Sequence, residues 1–152
     1  MSAPTISPAG REHARRLRHA DEDLARLEQA EALLADAREQ RDSDPRRAFE
    51  AAHRAALRAA GVVVAGANRS RVRPLPLNVW TALGRIGPEH RAWVEEAAPM
   101  VAERDRLLRS DAAHPDPALL DAHLRATGER ISAVRSRLLM DLLDGGALPA
   151  AR

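Results

Sequence analysis

Four stretches of this chain place apolar residues at alternating three- and four-residue steps, and two of the junctions between them read Asp-Pro, at Asp44-Pro45 and Asp116-Pro117. That spacing gathers apolar side chains on one face of an α-helix, whereas a half-buried strand needs strict two-residue alternation. An aspartate followed by proline is also a helix-start signal. The carboxylate accepts a free N–H of the first turn, and proline, which has no N–H to lose, suits the first helical position. No alternation of useful length appears, so the chain is expected to be all-α.

The first stripe runs through Leu17, Ala20, Leu24, Leu27, Leu34 and Ala37 to about Gln40. Ser7-Pro8 could cap and open the first helix, with Gly10 a reason for the regular part to start only at about Arg11. Such a stripe fits either a long bundle helix or a coiled-coil contact with a second copy. The second helix is expected from Pro45 to a stop at Gly66-Ala67-Asn68, with Phe49, Ala52, Ala56, Ala60, Val63 and Ala67 on one side and Val64 widening it. Its small residues permit close helix approach, and Gly61 is read as a packing accommodation that costs about 1 kcal/mol relative to alanine.

Arg69 to Pro76 reads as a stiff, basic, non-helical connection. Helical spacing resumes at Leu77, pauses at Gly87-Pro88, and continues over about Glu89 to Arg109, with Pro99 expected to bend it. These portions form one proline-interrupted third arm. After a connection over Ser110 to Pro115, the last stripe runs from Asp116-Pro117 to about Leu143, and Gly145-Gly146 ends it. The expectation is a four-to-five-helix bundle in one domain over 11–143, with flexible tails at 1–10 and 144–152. Phe49, Leu57, Val64, Trp80, Leu83, Ile131 and Leu138 are its expected buried residues.

Composition narrows the function classes. With 152 residues the chain is large enough to bury a core without disulfides or metals. Its 24 basic residues are all arginine, and 22 acidic residues bring the formal charge to only +2. The high pI of about 10.6 therefore reflects arginine chemistry more than a large positive field. Absence of cysteine removes disulfides, thiolate catalysis and cysteine-type zinc sites. Met1 to Gly10 lacks the basic and apolar regions of a signal peptide, and Ala55 to Ala67 is too short to span a bilayer. A cytoplasmic protein without membrane attachment is expected.

The segment Pro45-Arg46-Arg47-Ala48-Phe49-Glu50-Ala51-Ala52-His53 and its continuation to Ala60, followed by Arg73-Pro74, Asn78 to Glu89 and Trp93, resembles the actinobacterial SAV-6107-type HEPN proteins. The likeness covers roughly residues 20 to 143, the last helix matching as a pattern of apolar positions. It implies a compact helical domain, frequently dimeric, in a superfamily that holds RNA-cleaving members and non-catalytic partners of nucleotidyltransferases. Catalytic branches carry an arginine, four to six residues, then a histidine. Arg47 and Arg46 precede His53 with five and six residues between. Arg85–His90 and Arg109–His114 satisfy the same loose spacing. Catalytic members place the motif near the start of their last long helix, whereas His53 lies on the second, and Ala48 stands where a polar residue is frequent.

On chemistry alone, His53 follows Phe49 and precedes Leu57 by four residues each, which places it on the apolar face as a packing histidine. Its near-neutral pKa would otherwise suit proton transfer from a ribose hydroxyl, with Arg46 or Arg47 stabilising a phosphate. Arg69, Arg71 and Arg73 are the local candidates for nucleic-acid phosphate contact. Trp80 and Trp93 are expected to anchor the core or a dimer contact. His13, His19, His114 and His123 share no metal-ligand spacing, and no glycine-rich phosphate loop is present, so no metal and no cofactor are expected. The leading expectation is a non-catalytic helical interaction or regulatory protein, homodimeric, with an unidentified protein partner or RNA. A metal-independent endoribonuclease using His53 with Arg46 or Arg47 is the alternative.

Overall fold

The computed structural model describes residues 3–146, so the parts of the expected tails at 1–2 and 147–152 lie outside the described residues. Five helices follow in order: α1 (Pro8–Gln40), α2 (Pro45–Asn68), α3 (Val79–Ile86), α4 (Pro88–Leu108) and α5 (Pro117–Gly146). No strand occurs among the described residues.

Local chemistry accounts for most of the helix starts. The Asp44 carboxylate accepts from the Arg47 N–H at 3.1 Å. The Asp116 carboxylate accepts from Ala118 and Leu119 at 2.9 and 3.0 Å. Two starts differ from the expectation. Ser7 Oγ accepts from Gly10 N–H at 3.0 Å, so α1 begins at Pro8 rather than near Arg11. The reason is that a capped first turn tolerates glycine, because the serine replaces the missing intrahelical partner. In the third arm Asn78 Oδ1 accepts from Thr81 N–H at 3.0 Å. That cap starts α3 at Val79 and leaves Leu77 fully exposed outside the helix.

The arm breaks at Gly87, whose backbone is extended at φ 176° and ψ 169°, and Pro88 opens α4 without needing an N–H partner. Pro99 sits on an exposed position inside α4, and the helix continues through it to Leu108.

α1 and α2 run antiparallel, as shown by pairings of Asp36 with Arg47, Gln29 with Arg58 and Asp23 with Arg69. α5 also runs antiparallel to α1, with Arg41 bound to Asp121 and Glu31 to Arg135. α2 therefore lies between α1, α5 and the α3–α4 arm. Its buried face is mostly alanine, from Ala48 through Ala60, with Phe49 and Val62 as the larger members. Small side chains let neighbouring helices approach closely, and the bulk of the core comes from facing Leu27, Leu34, Leu83, Met100, Leu124 and Ile131.

Of the residues expected in the core, Phe49, Val64, Leu83 and Ile131 are buried, while Leu57, Trp80 and Leu138 are only half-buried. Gly61 departs from its expected packing role. A Cβ built there meets nothing within 4 Å, so no close neighbour demands glycine.

Because Arg69, just past the end of α2, pairs with Asp23, the part of α1 before that level extends beyond α2. The far end of α5 accompanies this overhang, with the Arg16 guanidinium beside Gly145. Leu17, Leu139, Met140 and Leu143 on these two helix ends are exposed.

Candidate functional site

His53 is carried by the third turn of α2 and is 3% exposed. Phe49 one turn earlier and the alanines around it turn that face inward, so the imidazole enters the core with them. Trp80 of α3 lies 6.4 Å from it, and His123 of α5 lies 5.7 Å away, all between ring centroids. His123 is 4% exposed and tilts against Phe49 at 5.1 Å. Trp80 in turn meets Trp93 edge-on at 6.2 Å. The histidine pair is thus flanked by Phe49 of α2 and by Trp80 of the arm.

Hydrogen bonding does not compensate this burial. His53 Nδ1 and His123 Nε2 have no partner, while His123 Nδ1 lies 3.4 Å from Thr127 Oγ1. Burial is the main cause that holds the His53 pKa below the ordinary histidine value, and Arg104 adds to it, with Glu50 and Asp105 acting the other way. His123 is pushed down to about 4 by burial and then by His53. Both rings are neutral at pH 7.

The two arginines read as partners of His53 are directed elsewhere. Arg46 projects to the end of α4, where its guanidinium donates to the backbone carbonyls of Leu107, Ser110 at 2.7 Å and Ala113 at 3.1 Å. Those carbonyls belong to the last turn of α4 and the loop behind it, where only the weaker 3.2–3.4 Å turn hydrogen bonds reach Leu107 and Ser110, so Arg46 caps a neighbouring helix. Arg47 points outward, 61% exposed, with Asp36 at 3.5 Å. The arginine whose charge bears on His53 is instead Arg104 of α4, which donates twice to Glu50 at 2.9 and 3.0 Å. That pair holds the Glu50 carboxyl below the usual carboxylate range. Arg46, Glu50, Arg104, Leu107 and Leu108 line a cleft of about 120 Å³ on this side.

The basic connection is divided as well. Arg69 donates through two nitrogens to the Asp23 carboxylate, each at 2.8 Å, and Asp23 is 2% exposed. Its role is to close α2 onto α1. Arg71 and Arg73 are exposed, on a loop tethered by Leu75, whose N–H donates to Asn68 Oδ1 at 2.8 Å and whose side chain is buried. Of the three arginines, these two face solvent.

A family model described as SAV-6107-like HEPN matches residues 39–135, well over half of the chain. The chain belongs to this family. No curated protein and no solved structure matches it. The HEPN match spans α2, α3, α4 and most of α5, which are the elements that enclose His53 and His123. HEPN membership associates the chain with a nucleic-acid-related or RNase-like function, catalytic or not. Among the described residues no group of three or more His, Cys, Asp or Glu could hold a metal ion, and no helix is long and apolar enough to cross a membrane.

His123 and Arg104 are the participants that sequence reasoning did not assign to the His53 environment. His123 had a legible local sign, since it stands three residues after Leu120 and four before Thr127 on the same stripe. Arg104 had none, being separated by 54 positions from Glu50.

Proposed function

We propose that this HEPN chain is a non-catalytic helical interaction or regulatory protein associated with nucleic-acid processing, acting as a homodimer. The observation that carries this reading is the placement of His53. A general base must approach the proton it removes within hydrogen-bond reach, about 2.6–3.2 Å between heavy atoms. An imidazole 3% exposed beneath Trp80 does not offer that approach. Arg46, held on the carbonyls behind α4, and Arg47, turned toward Asp36, do not supply the phosphate-stabilising charge beside it.

The homodimer reading is supported by the overhang of α1 and α5, where Leu17, Leu139, Met140 and Leu143 are exposed and no third helix covers them among the described residues. A contact with RNA phosphate draws its support from Arg71 and Arg73, which are exposed on a tethered loop.

The test is incubation of the purified protein, in the presence of a chelator, with single-stranded and structured RNAs. The RNAs should remain intact. Reproducible cleavage that disappears in His53→Ala, with folding preserved, would replace this reading by the metal-independent endoribonuclease.

A further inference from the structure

Two buried imidazoles face each other in the core, an arrangement that disfavours charge on either. His53 and His123 come from different helices, their ring centroids stand 5.7 Å apart, and each keeps a ring nitrogen without a hydrogen-bond partner. Trp80 covers them from α3. Charging either ring would place a cation in an apolar enclosure, and charging both would add repulsion at short range.

The charged surroundings offer little relief. On its own helix His53 feels Glu50, but that carboxylate is already bound by Arg104 of α4, which repels an imidazolium; Asp105 of α4 acts weakly in its favour. From α3 the covering group is the uncharged Trp80. On α5 the nearest polar neighbour of His123 is the Thr127 hydroxyl, and His53 is the one charged-capable group acting on it. Glu96 of α4 lines the gap between the tryptophans and His123 but is bound to Arg130. No α1 group acts on either ring.

α3 is also the shortest helix, held to the core through the buried Ala82 and Leu83. It has eight residues, enters through the loop after Asn68 and leaves through the extended Gly87. No ion pair among the described residues involves an α3 side chain, whereas α4 is pinned separately by Arg104 to Glu50 and by Arg130 to Glu96. From this geometry we infer that α3 is a pH-sensitive lid: protonation at the His53–His123 pair displaces Trp80 and opens the tryptophan-lined gap between α2, α4 and α5, while the other helices stay folded.

The direction follows from linkage. Both histidines titrate lower when covered than the ordinary value of 6.5, His123 at about 4, so the open form binds more protons. The covered form has its full stability above pH 6.5 and loses it as pH falls toward 4.

The experiment follows Trp80 emission in a Trp93→Phe background, together with far-ultraviolet circular dichroism, from pH 8 down to pH 4. A red shift of Trp80 between pH 6.5 and 4 with helix signal retained is expected, and the shift should be lost when both imidazoles are removed in His53→Leu with His123→Phe. An emission change that persists in that double variant, loss of helix signal in step with it, or no change at all would each overturn the lid. Histidine proton titration by NMR on the unmodified chain gives a reading that does not depend on the variants folding. There the His123 midpoint should lie well below the ordinary histidine value of 6.5, and an ordinary midpoint would equally overturn the inference.

Discussion

Arg46 and Arg47 are neighbours in sequence with opposite surroundings. Arg46 serves three carbonyl oxygens at the end of α4, and Arg47 makes one long, exposed contact to Asp36. Truncating Arg46 removes a charged donor shared by three carbonyls, two of them in part-buried contacts, which costs about 1–3 kcal/mol. Arg47→Ala removes a surface pair of the kind that contributes roughly 0–1 kcal/mol. Urea unfolding of the two variants should therefore separate them, with Arg46→Ala clearly less stable. Equal stabilities would mean that Arg46 does not hold α4. Gly61 gives a prediction of the opposite sign. With open space where a Cβ would stand, Gly61→Ala should raise stability by about 0.5–1 kcal/mol through the lower entropy of the unfolded chain. A loss of stability would show that the helix needs glycine there.

Helix identity was readable from spacing and caps because those signals are local. The Asp-Pro starts at α2 and α5 and the break at Gly87-Pro88 need no knowledge of the rest of the molecule. Errors arose where a side chain overrode composition, as when the Ser7 cap carried α1 back to Pro8 and the Asn78 cap moved α3 past Leu77. The candidate site was far less legible. Arg46 reaches carbonyls 61 to 67 positions away, and Arg69 reaches Asp23 across 46 positions. Nothing near either arginine signals those destinations. The split within the loop leads to a prediction for that element. Arg71→Ala with Arg73→Ala should leave stability within about 0.5 kcal/mol, as for substitutions at exposed positions. It should weaken any RNA binding and lower its salt dependence, since phosphate contacts release counterions. Arg69→Ala should instead destabilise by about 2 kcal/mol, less than the roughly 3–5 of a fully enclosed pair, because the guanidinium is partly exposed. RNA affinity that falls with Arg69 at unchanged stability would reverse these roles.

At the scale of the whole molecule, the bundle is closed around α2 and open at the α1–α5 overhang. Covering Leu17, Leu139 and Leu143 with a second copy would use the apolar surface that α2 is too short to reach. Light scattering at micromolar concentration should return a dimer mass, and Leu17→Glu with Leu143→Glu should return a monomer. A monomer mass for the unmodified chain would remove the homodimer. The closed end bears on function more directly, because the non-catalytic reading depends on His53 being out of reach in the assembled protein. The measurement is histidine ring NMR at pH 7.5 with a soluble paramagnetic gadolinium chelate. His13 and His114 are exposed and should broaden, while His53 and His123 should not. Broadening of His53 to the extent seen for His114 would contradict the enclosure and return the imidazole to the surface as a catalytic candidate.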